Sequence, residues 1–229
     1  MFSFRDHREA DVRVDVAFTD ASIDLQGLRP GFAAELPRLE EACGVRFARV
    51  NQVHGAEVLM ASQPGPPLLE DVPTADALVT TTPGLGLMVR VADCVPVLLA
   101  DPEAGVVAAV HAGRPGLVAG VVPRALETMR SAGARRIRAW VGPHVCGACY
   151  EVPEQLRADV CAVVPEAYAE TSWGTPSVDV GAGVRAQLVH GAAQVVDASR
   201  CTIEDEDLFS YRRQGRASGR LAGLVWVRP

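Results

Sequence analysis

Apolar and polar residues alternate along DVRVDVAF, residues 11–18, and this period of two predicts a half-buried strand. The polar FTDASIDLQGLRPG that follows reads as loop. FAAELPRLEEAC, Phe32–Cys43, has helical spacing despite Pro37, and Gly44 is placed to stop the helix. VRFARVNQVHGAEVLMA reads as two strands meeting near His54-Gly55, and the proline-rich ASQPGPPLLEDVPT after it as loop. Apolar runs near 76–80, 86–92, 95–100 and 105–110 predict four more strands, the last two joined by a turn over Asp101–Gly105. These runs are almost unbroken, which points to burial on both faces.

After His111 the pattern turns helical. Pro115 suits a first helical turn, and Pro123 either kinks that helix or begins a second one. IRAWVGP predicts a strand, and CYEVPEQLRADVCAVVP a strand end and then a helix. VDVGAGVRAQLVHGAA predicts a helix, AQVVDAS a strand, and GRLAGLVWVRP a C-terminal strand. Strands and helices alternate irregularly, with several strands adjacent. The expected fold class is therefore α+β: a layered α/β sandwich with mixed sheets, forming a single domain over residues 1–229. Gly84-Leu85-Gly86 lacks the pattern of a dinucleotide loop and is given no nucleotide role.

Composition narrows the function classes. The chain has 229 residues, 48% of them hydrophobic and 22% charged, with a net charge of −6. That is ordinary for a globular protein and argues against sequence-independent nucleic-acid binding. All the basic side chains are arginine. The chain therefore has no Schiff-base lysine, no pyridoxal phosphate anchor and no phosphate-loop lysine. The N-terminal stretch lacks the apolar core of a signal peptide, and no apolar run reaches the ~20 residues of a membrane span. A cytoplasmic location without a membrane partner is expected, and the six cysteines then read as free thiols or metal ligands.

His54 lies in NQVHG, Cys94 in ADCVP and His111 in VHAGRPG, each with the profile of a residue at a strand end. A thiolate with two imidazoles suits Zn²⁺, and three protein ligands leave one tetrahedral position for water or substrate. Bound zinc lowers the pKa of its water to about 7. Two other readings stay open at this level. Cys94 and His111 fit a thiolate–imidazolium pair, and all three residues fit plain structural roles. Cys146-Gly-Ala-Cys149, beside His144, has the spacing of a metal or redox pair, but no second ligand pair is evident nearby, so a structural or substrate-loop role is expected. Arg212, Arg213, Arg216 and Arg220 crowd a short span; a solvated basic loop is the default reading and an anion site the alternative. His7 and His190 join no constellation.

At these residues the chain resembles the laccase-domain family, also called multicopper polyphenol oxidase-like proteins. The resemblance runs from about Val16 through NQVHGAEV, ADALVTTTPGLGLMVRVADCVPVLLADP, GVVAAVHAG, VGPHVCGACYEV, CT and FSYRR, in family order. It implies that His54, Cys94 and His111 bind zinc together, with copper as an alternative metal, and a fold like that of bacterial deamidating toxins. It also implies phosphorolysis of adenosine, inosine, guanosine and methylthioadenosine, with adenosine deamination as a second activity. Arg212 and Arg213 are then expected to hold phosphate, Asp76 and Arg90 to line the substrate site, and His144 or Asp93 to move protons. The chain departs from the family pattern twice. Its FTDASIDLQGLRP loop lacks the arginine and paired glycines of the usual Thr-Arg-x-Gly-Gly-Val-Ser, and HAGRPG stands where His-Ala-Gly-Trp-Arg-Gly is usual. Both bear on substrate choice and rate more than on the metal.

The leading expectation is a zinc-dependent enzyme acting on purine nucleosides and phosphate. Its rivals are a metal-free thiol amidase editing peptidoglycan precursors, a nucleoside- or partner-binding protein without turnover, and a copper phenol oxidase. The last is disfavoured because the five histidines are isolated rather than paired.

Overall fold

The apolar runs become strands that bury both faces, and the chain therefore stacks in layers. The computed structural model describes residues 1–27, 29, 31–66 and 71–228. In chain order the elements are β1 (Phe2–Glu9), β2 (Arg13–Thr19), α1 (Phe32–Cys43), β3 (Arg46–Ala48), β4 (Val58–Met60), β5 (Ala77–Thr80) and β6 (Leu85–Val91). There follow β7 (Val95–Asp101), β8 (Val106–Ala112), α2 (Arg114–Val118), α3 (Val121–Ser131), β9 (Arg138–Val141) and α4 (Glu154–Cys161). Then come β10 (Tyr168–Glu170), β11 (Pro176–Val178), α5 (Val180–His190), β12 (Gln194–Asp197), α6 (Tyr211–Gln214) and β13 (Leu221–Val227).

One sheet has the order β1-β2-β13-β6-β3 and the other β12-β9-β7-β8-β5-β4; β10 and β11 form a separate hairpin. The pairs β3–β6, β4–β5 and β9–β12 are parallel and the remaining pairs antiparallel, so both large sheets are mixed. Side chains alternate across a strand, and this sorts the core into three slabs. Val16, Phe18, Leu87, Val89, Leu98 and Trp140 fill the space between the sheets. Leu36 and Leu39 of α1 pack with Phe47, Leu224 and Trp226 over the outer face of the first sheet. Leu117, Val122, Leu126, Val184 and Leu188 of α2, α3 and α5 cover the outer face of the second, against Val97, Leu99, Ala108 and Val110. Each such leucine or phenylalanine contributes roughly 1.5–3 kcal/mol by leaving water. The α+β layered architecture with mixed sheets is the one expected. Among the described residues no helix is long and apolar enough to cross a membrane.

The local signals mostly act as read. Gly44 ends α1 in the left-handed region at φ 72°, its N–H donating to the carbonyls of Glu40 and Glu41. Pro123 neither kinks nor breaks a helix, because Gly120, at φ 78°, separates α2 from α3 and leaves the proline in a first turn. Asp179 caps α5, accepting the N–H of Ala182 at 2.7 Å. Three expectations need correction. β1 was not anticipated, since beyond Phe2 and Phe4 it is polar; it forms because β2 offers an edge and because Trp140 Nε1–H donates to Asp6 at 2.9 Å. The two strands of residues 45–61 lie in different sheets, β3 beside β6 and β4 beside β5, so His54 belongs to the crossing between sheets. CYEV makes no strand, and its Glu151 only bridges to Ser177. Of the two expected loops, residues 28, 30 and 67–70 lie outside the described residues.

Asp101 closes the turn between β7 and β8. Only 1% exposed, its carboxylate accepts the backbone N–H groups of Glu103, Ala104, Arg135 and Arg136. Burial pushes this carboxyl up, but the four N–H bonds outweigh burial and hold it below its ordinary value. Asp101→Ala should cost roughly 2–4 kcal/mol in urea unfolding at neutral pH, because it leaves buried donors unpaired. A carboxyl with a depressed folded pKa stabilises above its unfolded value, near 4, and loses that contribution as pH falls further. The gap between wild type and variant should therefore shrink below about pH 4; a gap independent of pH would assign the loss to packing alone.

Candidate active site and metal centre

In the β7–β8 ladder Val95 pairs with Ala112 and Pro96 with His111. Cys94, one residue before β7, and His111, near the end of β8, therefore meet at one end of the second sheet. His54 arrives from the crossing between β3 and β4. The sulfur and one nitrogen from each imidazole lie within 4.8 Å of one another. The two imidazoles meet edge to face, with centroids 4.8 Å apart.

Asp76 organises this meeting. It is fully buried, and its Oδ1 accepts His111 Nδ1–H at 2.8 Å. The same carboxylate accepts the N–H groups of Val53, His54 and Gly55, at 3.3, 2.9 and 2.7 Å. The Asp76 carbonyl also accepts the His111 backbone N–H at 2.8 Å. His54 is held at φ 62°, a conformation uncommon outside glycine. Since Nδ1 of His111 is committed to a carboxylate, Nε2 is the nitrogen left for the thiol or for a metal. Gly113 leaves room for the cluster: a Cβ there would lie 2.5 Å from the His54 ring and 3.2 Å from Cys94 Sγ.

The charges follow from these contacts. Burial pushes the Cys94 thiol up, but the His111 charge and hydrogen bonds from His111 and His54 bring it down to about 6. Burial pushes His111 down, but the Cys94 thiolate and Asp76 raise it to about 9. Burial also pushes the Asp76 carboxyl up, and the bonds from His111 and Gly55 hold it below its ordinary value. The cluster is thus a thiolate and an imidazolium backed by a carboxylate. A thiolate with two imidazoles is a borderline-soft donor set that fits zinc, or copper, and the Asp76–His111 pair is the second layer that orients a metal-binding histidine.

The cluster opens into a cavity of about 1120 Å³. Of the substrate residues expected from sequence, Arg90 and Arg212 line it, and so does Asp93. The other three lie elsewhere. Asp76 sits beneath the cavity as the anchor just described. His144 is 4% exposed, donates Nδ1–H to the Gly142 carbonyl at 2.8 Å and packs its ring against Gly181. Burial holds it below its ordinary pKa, so it is a neutral packed imidazole. Arg213 spends its guanidinium on the carbonyls of Ile203, Asp205 and Leu208, at 2.8, 3.0 and 2.6 Å.

Further residues line the cavity, among them Tyr150, Tyr211 and Gln52, which the sequence did not single out. Arg114 begins α2 where the HAGRPG departure falls, and Arg220 enters from just before β13. Tyr150 and Tyr211 stand beside Arg212 and Arg220, whose guanidinium carbons lie 4.9 and 5.8 Å from the ring centroids. Gln52 clamps the Arg90 backbone, donating to its carbonyl at 2.7 Å and accepting its N–H at 2.8 Å. No guanidinium of Arg90, Arg114, Arg212 or Arg220 has a carboxylate within 4.0 Å among the described residues; that of Arg212 donates to the Glu151 carbonyl at 3.1 Å, and that of Arg220 to the carbonyls of Ser218 and Gly219 at 3.2 and 2.9 Å. Burial, with the charges of Arg49 and Arg220 nearby, lowers Arg90 to about 10.

Comparison with known proteins places the chain. It is 58% identical over 196 residues to a Streptomyces coelicolor protein named purine nucleoside phosphorylase, covering 82% of this chain and 78% of that one. A Corynebacterium glutamicum protein of the same name is 42% identical over 229 residues, covering 99% and 87%. A crystal structure of a Neisseria meningitidis protein superposes with a TM-score of 0.82 at 26% identity, covering 98% of this chain and 99% of that one. Residues 32–228 match the family model described as multi-copper polyphenol oxidoreductase laccase, and the chain belongs to that family.

Proposed function

We propose that this chain is a metal-dependent purine nucleoside phosphorylase, with zinc as the metal and copper as its alternative. The reading treats residues 1–229 as one domain. The observation that carries it is a set of arginines whose guanidinium groups have no carboxylate partner among the described residues, lining the same cavity as the Cys94–His111–His54 cluster. Arg90, Arg114 and Arg220 are half-buried and Arg212 is exposed, and together they give the cavity a positive field that favours an anion. A bound phosphate would supply the missing charge, and planar guanidinium groups match its oxygens.

In phosphorolysis a phosphate oxygen bonds to C1′ of the nucleoside, the C1′–N9 bond breaks, and the purine leaves with its electron pair and takes a proton. Arg90 and Arg220 would hold the phosphate, and Arg212 would close over it from Tyr150. Tyr150 and Tyr211 offer flat faces to a purine. His54, Cys94 and His111 would hold the metal, which supplies Lewis acidity to water or to a substrate oxygen or nitrogen. Adenosine, inosine, guanosine and methylthioadenosine are the proposed substrates. Adenosine deamination, in which water adds at C6 and ammonia leaves, is assigned to the same cavity. Asp93, a carboxylate lining that cavity, is the group placed to carry its proton, a role for which the packed His144 is unsuited.

The Cys94–His111 contact favours one rival, a thiol amidase working without metal. Pure protein incubated with adenosine and phosphate should yield adenine, ribose 1-phosphate and inosine, and Cys94→Ala should lose both the zinc held by this cluster and these products. Full activity in metal-stripped protein, abolished by thiol alkylation, would establish the rival instead. Retained ligand binding with no product would leave a binding protein.

Two substitutions separate the roles. Arg90→Gln should raise the KM for phosphate by about 10–100-fold, the worth of one charge-assisted bond, and leave deamination nearly intact. Equal loss of both activities would remove Arg90 from phosphate binding. Asp76→Asn should weaken zinc affinity by about 10–100-fold, read by competition with a chelator, because the neutral amide no longer fixes His111. Unchanged affinity would reduce Asp76 to a structural residue.

A further inference from the structure

Two short turns, far apart in sequence, bring a second group of metal-ligating side chains together outside the cavity wall. Cys146-Gly-Ala-Cys149 folds back on itself, the N–H groups of Cys149 and Tyr150 both donating to the Cys146 carbonyl at 3.1 Å. Cys201-Thr-Ile-Glu204 makes another turn, closed by the Asp205 N–H on the Cys201 carbonyl at 3.0 Å. Each turn sets residues i and i+3 on one side. A parallel bridge joins them: His144 N–H donates to Arg200 and Thr202 N–H to the His144 carbonyl, both at 3.1 Å. Three sulfurs and a carboxylate oxygen, from Cys146, Cys149, Cys201 and Glu204, thereby lie within 4.8 Å of one another.

Among the described residues nothing else engages these four groups. The three cysteines are free thiols, and Glu204 makes no ion pair or side-chain hydrogen bond among the described residues. Arg213 braces the second turn through backbone carbonyls, which leaves the Glu204 carboxylate unclaimed. Gly147 keeps the first turn pressed on the body of the protein, since a Cβ there would lie 2.8 Å from Asp179 Cβ and 3.0 Å from Ala169 Cβ. Cys149 is buried and Cys146 and Cys201 are half-buried, so a divalent ion would be shielded on its sulfur side and reached from the Glu204 side.

We propose that Cys146, Cys149, Cys201 and Glu204 form a second metal site, for a zinc-class divalent cation, with a structural role. Two ligand pairs of x2 spacing, each on its own turn, are the layout of closed zinc sites, and three thiolates with one carboxylate fill a tetrahedral shell. The thiolate majority selects zinc over magnesium or calcium. The thiols release their protons to solvent as the ion binds. The ion would pin together the two segments that support Asp93. Val145 N–H donates to the Asp93 carbonyl at 3.0 Å, and Thr202 Oγ1–H to its carboxylate at 2.6 Å. Tyr150 and Arg212 of the cavity wall adjoin the same segments.

The test uses the full chain carrying Cys94→Ala, purified under a phosphine reductant, loaded with zinc and desalted. It should retain one equivalent where wild type holds two, and zinc-edge X-ray absorption should find three sulfur neighbours at about 2.3 Å. Zinc should also protect Cys146, Cys149 and Cys201 from alkylation, as mapped by mass spectrometry. Adding Cys201→Ser should abolish the retained equivalent; if that protein does not fold, the sulfur count and the alkylation map decide without it. A Cys94→Ala protein that binds no zinc, or binds it with one sulfur neighbour or none, overturns the proposal. Wild type and Cys94→Ala binding the same single equivalent would instead count against the metal at the first site, so the two failures are distinct.

Discussion

A single buried carboxylate sets the geometry on which the cavity depends. Asp76 accepts three successive backbone N–H groups from Val53 to Gly55 and the Nδ1–H of His111. Holding a residue such as His54 in the left-handed region costs roughly 1–2 kcal/mol. Charge-assisted hydrogen bonds contribute about 1.5–3 kcal/mol each, so the anchor wins with margin. The same bonds commit Nδ1 of His111 to Asp76 and leave Nε2 to face Cys94. One side chain thus joins the crossing between the two sheets to the end of β8.

The opposite wall is built by similar means. Asp93 also has a positive φ, 88°, and its carboxylate accepts Thr202 Oγ1–H and the Arg212 backbone N–H, both at 2.6 Å. These bonds hold the residue before Cys94 in an unfavourable conformation and draw the C-terminal arginine segment over the cavity. Arg90 is positioned through its backbone by Gln52, so its guanidinium stays uncommitted. Strain and unpaired charge therefore gather at one end of the sandwich, while the slabs behind it are apolar and close-packed. Such an end can carry strain and unpaired charge because the rest of the fold supplies the stability.

The arginines show how placement decides role. Arg212 and Arg213 are neighbours in sequence and chemically identical, yet one lines the cavity and the other is spent on three loop carbonyls. His144, in a motif rich in chemistry, is packed and neutral, whereas Arg220, at the far end of the basic run, reaches the cavity. Their residue types alone do not separate these cases.

The sequence by itself determined the central strands, α1 with its glycine stop, the helices after His111 and the mixed α+β class. These follow from local periodicity and from glycine and proline, whose effects act within a few residues. It also marked His54, Cys94 and His111 as unusual residues beside apolar strands. Only the tertiary structure decided that their donor atoms meet, because that rests on the β7–β8 register and on a carboxylate from the bend before β5. Likewise it alone showed β1, whose polar half carries no strand signal, and brought Cys201 and Glu204 to the Cys146–Cys149 turn. Contacts between distant segments are set by long-range packing and leave no periodic trace in the segments themselves.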